Sequence, residues 1–123
     1  GLGKTLGESL GFLRGLGPLP QLLCASFATV ILSAVASNVA TVQVMLPVLA
    51  NAVTLPMRTT TLFTCTIASS CDFALPAGTP PNAIVFGSGY LTVPVMARIG
   101  FILDFFAAVI VALWCRVIVG VVF

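Results

Sequence analysis

The 123-residue chain contains no histidine, and charged residues make up only 7% of it: five Lys or Arg and three Asp or Glu. Without histidine the sequence lacks the commonest metal ligand and the commonest general acid–base group. The serines therefore have no imidazole to activate them, and no enzyme activity is expected. The net charge of +2 is small and its charges are scattered, which argues against a nucleic-acid partner. Four cysteines occur (Cys24, Cys65, Cys71, Cys115), with no CxxC pair, all within apolar segments. They read as small buried hydrophobes rather than as disulfides or metal ligands. No continuous apolar leader is present either, because Glu8 and Arg14 interrupt the N-terminal "GLGKTLGESLGFLRGLGPLP". The absence of an initial methionine is compatible with processing or with a piece of a longer chain.

Between Arg14 and Arg58 there is no charged side chain at all. Hydrophobic residues account for 59% of the chain and its mean hydropathy is +1.21. Soluble domains carry roughly 25% charged residues, and a soluble chain this short could not cover so much apolar surface. The composition specifies an all-α integral membrane segment in contact with the lipid bilayer.

Leu6, Leu10 and Leu13 recur at helical spacing within 4–16, and Lys4 and Glu8 form an i,i+4 pair. This predicts an interfacial amphipathic helix within 1–18, ended by Pro18 and Pro20. Residues 20–56 predict two short apolar helices joined at 37–41. Residues 41–53 cover only roughly 20 Å, short of the ~30 Å hydrocarbon core. That length suggests a re-entrant hairpin; two ordinary spans with a tight surface turn are the alternative. Residues 58–95 predict an apolar helix broken at 77–82, where Gly78, Pro80 and Pro81 cannot continue it. Residues 97–123 predict a terminal span carrying Asp104, Trp114 and Arg116. Arg58 and Arg98 flank the same broken segment, so charge asymmetry gives no orientation.

The two interruptions carry the chemistry. Ser37-Asn38 and Gly78-Thr79-Pro80-Pro81-Asn82 each leave helix ends with orphan amides or carbonyls. Helix N-termini suit a carboxylate or another oxyanion, and hydroxyl, amide and carbonyl oxygens suit Na+. Thr79 is a candidate N-cap ahead of Pro80. Broken helices at mid-membrane that hold an anion and Na+ together are the plan of secondary transporters. The simpler alternatives are a Ser-Asn pair that bonds a neighbouring helix and a Pro-Pro kink. "GSGY" at 87–90 lacks the lysine and strand context of a nucleotide loop.

"SNVAT" at 37–41, "MLPVLA" at 45–50 and "TPPNAIVFGSGYLTVPVMARIGF" at 79–101 resemble the C-terminal half of the divalent anion/sodium symporter family. Its members include sodium-coupled dicarboxylate, citrate and sulfate transporters. The resemblance implies one of two inverted repeats, made of a re-entrant helical hairpin, a broken transmembrane helix and a C-terminal transmembrane helix. It implies Na+ as the coupling ion, with Ser33, Ser37, Asn38, Gly78 and Asn82 on its side. Ser37, Asn38, Val39, Thr79 and Pro80 would face a small anionic substrate. Val39 stands where the bacterial pattern has threonine, and Gly78 where alanine is usual. Asp104 stands where asparagine is frequent, which implies helix packing. Asp72 departs from the family, which has a small or apolar residue there. Its place two turns before Thr79, roughly 10 Å along a helix axis, makes it a candidate for an extra cation or proton site.

The function implied is sodium-coupled transport of di- or tricarboxylates by alternating access, in the plasma membrane. Sulfate or another oxyanion is the alternative cargo, and a non-transporting truncated subunit is the alternative role. One hairpin and two spans cannot enclose a pathway, so an N-terminal half or a partner chain is expected. The resemblance also implies a homodimer.

Overall fold

Prolines and small polar residues set where the helices of this chain begin. The computed structural model describes all residues, Gly1–Phe123, as six α-helices and one 3-10 turn. Helix α1 spans Leu2–Leu10 and continues into the 3-10 turn Gly11–Gly15. Then follow α2 (Pro18–Val35), α3 (Asn38–Ala52), α4 (Leu55–Ala68), α5 (Pro80–Gly87) and α6 (Val93–Val122). Each of α2, α4, α5 and α6 has proline in its first two positions. There the missing N–H would have had no intrahelical partner and the fixed φ already suits a helix. Pro18, which with Pro20 the sequence suggests as a terminator, is therefore the initiator of α2. Pro47 alone sits inside a helix, α3, where the Asn51 side-chain amide donates to its carbonyl at 2.9 Å.

Side-chain hydrogen bonds fix the directions of the bundle. Thr29 of α2 bonds the Cys65 sulfur of α4 at 3.5 Å, and one turn on Ser33 reaches the Ser69 carbonyl. The partner number rises with the donor number, so α2 and α4 run parallel and α3 returns the chain between them. Ser26 of α2 donates to the Ala108 carbonyl of α6 at 2.8 Å, and Phe27 packs on Phe105 with ring centroids 5.3 Å apart. Helix α6 runs antiparallel to α2.

The burial pattern is that of a membrane bundle. Helix α6 turns Gly100, Asp104, Ala108, Ala112 and Cys115 inward and leaves Phe101, Phe105, Phe106, Ile110 and Trp114 exposed. Small residues let helices approach closely where there is no water to drive apolar side chains together. Helices α2 and α6 are long and apolar enough to cross a bilayer. With 30 residues, α6 measures about 45 Å at 1.5 Å per residue.

Two expectations are revised. The segment 1–18 is amphipathic, but its Leu10 and Leu13 are buried with Met45, Val48 and Leu49 of α3. The Arg14 guanidinium also donates to the Asn51 carbonyl. Protein, rather than lipid, covers that apolar edge. The break expected at 77–82 is longer and begins earlier: α4 stops at Ala68 and helix resumes only at Pro80. A second gap at 88–92, with Gly89 at φ +81°, separates α5 from α6.

Candidate functional site

The turn from α2 to α3 uses only Ala36 and Ser37. Ser37 caps α3, its Oγ accepting from the Ala40 N–H at 3.2 Å, while the Thr41 N–H bonds the Ser37 carbonyl. The amides of Asn38 and Val39 have no partner in the protein. An N-cap that leaves two amides free, at the positive end of a 15-residue helix, offers donors to an anion. Ser37 and Val39 are exposed and Asn38 is half-buried.

Behind these amides lies a cluster of oxygens. Ser33 Oγ is 2.7 Å from Asn38 Oδ1 and within hydrogen-bond reach of the Ser69 carbonyl. A hydroxyl has one proton, so one of the two acceptors keeps an uncompensated lone pair. Three uncharged oxygens around a single proton form a donor set suited to a hard cation such as Na+. Ser69 was missed by sequence reasoning, because its backbone carbonyl, not its side chain, enters the cluster. Thr41 was missed too: its hydroxyl is fully buried, one turn into α3, and has no hydrogen-bond partner. Its place in "SNVAT" is the signal that could have found it.

The second interruption, 69–79, is held by residues outside it. The Phe73 N–H donates to Asp104 Oδ1 of α6 at 2.8 Å. The Asn82 side-chain amide donates to the carbonyls of Asp72 at 2.8 Å and Leu75 at 3.0 Å. Backbone groups inside a membrane protein need such partners, since lipid supplies none. Gly100 makes the fit possible, for a Cβ there would collide with the Phe73 carbonyl and Ala74 Cα. Asp104 lies eleven residues from Val93 and eighteen from Val122, roughly 17 Å and 27 Å from the ends of α6. The break therefore lies at depth, well within the reach of the longest helix.

Thr79 is the N-cap of α5 and accepts from the Asn82 N–H at 3.4 Å. Pro80 and Pro81 have no N–H, the Asn82 N–H serves Thr79, and the Ala83 N–H serves the Thr79 carbonyl. So α5 has a positive end without free amides in its first turn, and the Thr79 hydroxyl is its donor. Asn82 commits its amide nitrogen to the break and keeps Oδ1 for another partner.

Asp72 is not two helical turns from Thr79, because 72–79 is not helical. Its side chain folds back against Gly78, whose added Cβ would overlap the carboxylate. The structure thus brings together Ser33, Asn38 and Ser69 in one group, and Asp72, Gly78, Asn82 and Asp104 in another. Only Ser70 and Cys71 separate Ser69 from Asp72. No hydrogen bond joins Ser37, Asn38 or Val39 to Gly78, Thr79 or Pro80.

The chain is similar in sequence to known proteins. The sequence profile of the family described as "Sodium:sulfate symporter transmembrane region" matches residues 2–122. A sodium-dependent dicarboxylate transporter, SdcS, of Staphylococcus saprophyticus is 36% identical over 115 residues. The protein of that name in Staphylococcus aureus is 37% identical over 115 residues. In both cases the alignment covers 92% of this chain and 22% of the relative, so the chain spans about a fifth of their length.

Proposed function

The chain belongs to the sodium:sulfate symporter transmembrane family, and from that premise we propose that it is the substrate- and Na+-binding part of a sodium-coupled carrier for di- or tricarboxylates. The observation that carries this is the juxtaposition at the start of α3: two free amides, at Asn38 and Val39, on the helix end whose Asn38 side chain meets the Ser33 hydroxyl that reaches the Ser69 carbonyl. Na+ binds among Ser33, Ser37 and Asn38 at the first interruption, and Gly78 and Asn82 offer oxygens to Na+ at the second. One substrate carboxylate takes the amides of Asn38 and Val39, with Ser37 beside them. Another meets Thr79 and Pro80, through the Thr79 hydroxyl and the positive end of α5.

Coupling follows from Asn38, which belongs to both sites. A cation on Asn38 Oδ1 fixes its side chain and draws the α2–α3 corner against Ser69. The ordering cost is then met before the anion arrives, so the anion binds more tightly. The positive charge beneath the amides adds attraction for the carboxylate in a site of low dielectric. Helices α2 and α3 form the re-entrant hairpin, α4 and α5 the broken span, and α6, which begins at Val93 and not at 97, the terminal one. The complete carrier sits in the plasma membrane as a homodimer and works by alternating access. Further sequence or a partner chain closes the pathway.

Reconstitution of the native polypeptide in proteoliposomes tests this. An inward Na+ gradient is expected to drive uptake of labelled succinate, with citrate as a competitor. Competition by sulfate but not by succinate would reassign the cargo. Uptake that ignores the Na+ gradient would overturn the coupling.

A further inference from the structure

Three carboxylate oxygens in this chain are buried with nothing to bond them: both of Asp72, and Oδ2 of Asp104. Asp72 is 1% exposed and Asp104 4% exposed. The two belong to one structural unit, since Asp104 Oδ1 holds the N–H of Phe73, the residue after Asp72. No lysine, arginine or histidine answers them. The chain has no histidine, and no ion pair involves either carboxylate. The elements packed around them contribute little else that is charged. Helices α2 and α5 carry no charged side chain, α4 has only Arg58 in its first turn, at the far end, and α6 has Asp104 itself with exposed Arg98 and Arg116.

A buried, unpaired carboxylate is among the most unfavourable groups a membrane protein can hold. The chain nevertheless makes room for this one. Gly78 lacks the Cβ that would overlap the Asp72 carboxylate, so the two positions fit only as a pair. A carboxylate that served merely as filler would be better replaced by an apolar side chain of the same volume. The space left by the absent Cβ at 78 holds a carboxyl group, not a methyl group, and its unpartnered oxygens call for a cation.

We propose that Asp72, pressed against the Gly78 backbone in the segment that Asp104 holds through the Phe73 N–H, is a direct ligand of a Na+ ion at the second interruption. This rests on the sodium-coupled function proposed above and deepens it. The α2–α3 corner offers only neutral oxygens, whereas the 69–79 segment supplies formal negative charge. The carboxylate raises the affinity of the second site for Na+ and neutralises the ion there. Asp104 supports it from behind and, through Phe73, positions the segment that carries it.

Cys71 gives a readout independent of transport, being a half-buried free thiol adjacent to Asp72. In the native polypeptide in detergent or nanodiscs, Na+ is expected to slow maleimide labelling of Cys71. Labelling of Cys24, on α2 away from the break, is expected to be insensitive to Na+. Asp72→Asn keeps the volume and removes the charge. It should raise the Na+ concentration for half-protection by about tenfold or more, given the strength of charge interactions at low dielectric. The double variant D72A/G78A restores a fitting pair without the carboxylate. It should fold and show the same loss, whereas Gly78→Ala alone should fold poorly. Unchanged half-protection in both Asp72→Asn and D72A/G78A would overturn the assignment of Asp72 and leave the coupled carrier standing, provided wild type is protected. No protection by Na+ in wild type would overturn both.

Discussion

At Ser37 the chain passes from one helix to the next in two residues, and the new helix starts with a local cap and two free amides. At 69–79 it takes eleven residues, and the new helix starts with two prolines and a long 3.4 Å cap bond. The first interruption is specified by its own neighbours in sequence. The second is specified from a distance, by Asn82, Gly100 and Asp104. Chemistry follows the same division. The α3 start can donate two hydrogen bonds to an anion, while the second interruption carries unpartnered carboxylate oxygens. Two helix ends that look alike in sequence as polar breaks thus differ in the groups they leave without a partner, amide donors at the first and carboxylate oxygens at the second.

Substitutions that break this contrast should differ in size. The largest effect is expected at Gly100→Ala, where the added methyl would drive Phe73 and Ala74 off α6. A loss of about 3 kcal/mol would appear as a marked fall in the thermal unfolding midpoint in detergent. Next comes Asn82→Ala, which strands the Asp72 carbonyl and leaves the Leu75 carbonyl only the Gly78 N–H; it should cost about 2 kcal/mol, measured in the same way. Loss of either local N-cap should be more forgiving. Ser37→Ala removes a local cap and should cost about 1 kcal/mol, and Thr79→Ala only a few tenths because its bond is already long. If Ser37→Ala proved as disruptive as Asn82→Ala, the distinction between a locally and a remotely specified break would collapse.

Much of this was legible in the sequence. The uncharged run from Arg14 to Arg58 specified a membrane segment, Ser37-Asn38 marked a helix corner, and Thr79-Pro80 marked a helix start. These are local signals, carried by caps, prolines and hydropathy. What escaped was tertiary. The end of α4 at Ala68 has no strong breaker beside it, and the break is held open by side chains ten and thirty-one residues further on. Asp104 looked like a packing residue because its partner is a backbone amide, which no sequence pattern displays. The match of Asp72 to Gly78 is a contact between two positions six apart in irregular chain, where helical spacing misleads. Leu10 and Leu13 had the right periodicity for an amphipathic helix, but periodicity does not say whether lipid or α3 covers the apolar face.

The central claim is that Asn38 serves Na+ and the carboxylate at once, and its most direct test is succinate binding to the native polypeptide in nanodiscs over a range of Na+ concentrations, in wild type and Asn38→Ala. A shared site predicts that wild-type succinate affinity rises steeply with Na+, and that Asn38→Ala weakens the binding of both ligands by about tenfold or more, as expected when a charge-assisted contact is lost. Succinate binding that is equally tight without Na+, or an Asn38→Ala variant that loses succinate while its Na+ affinity stays unchanged, would contradict it.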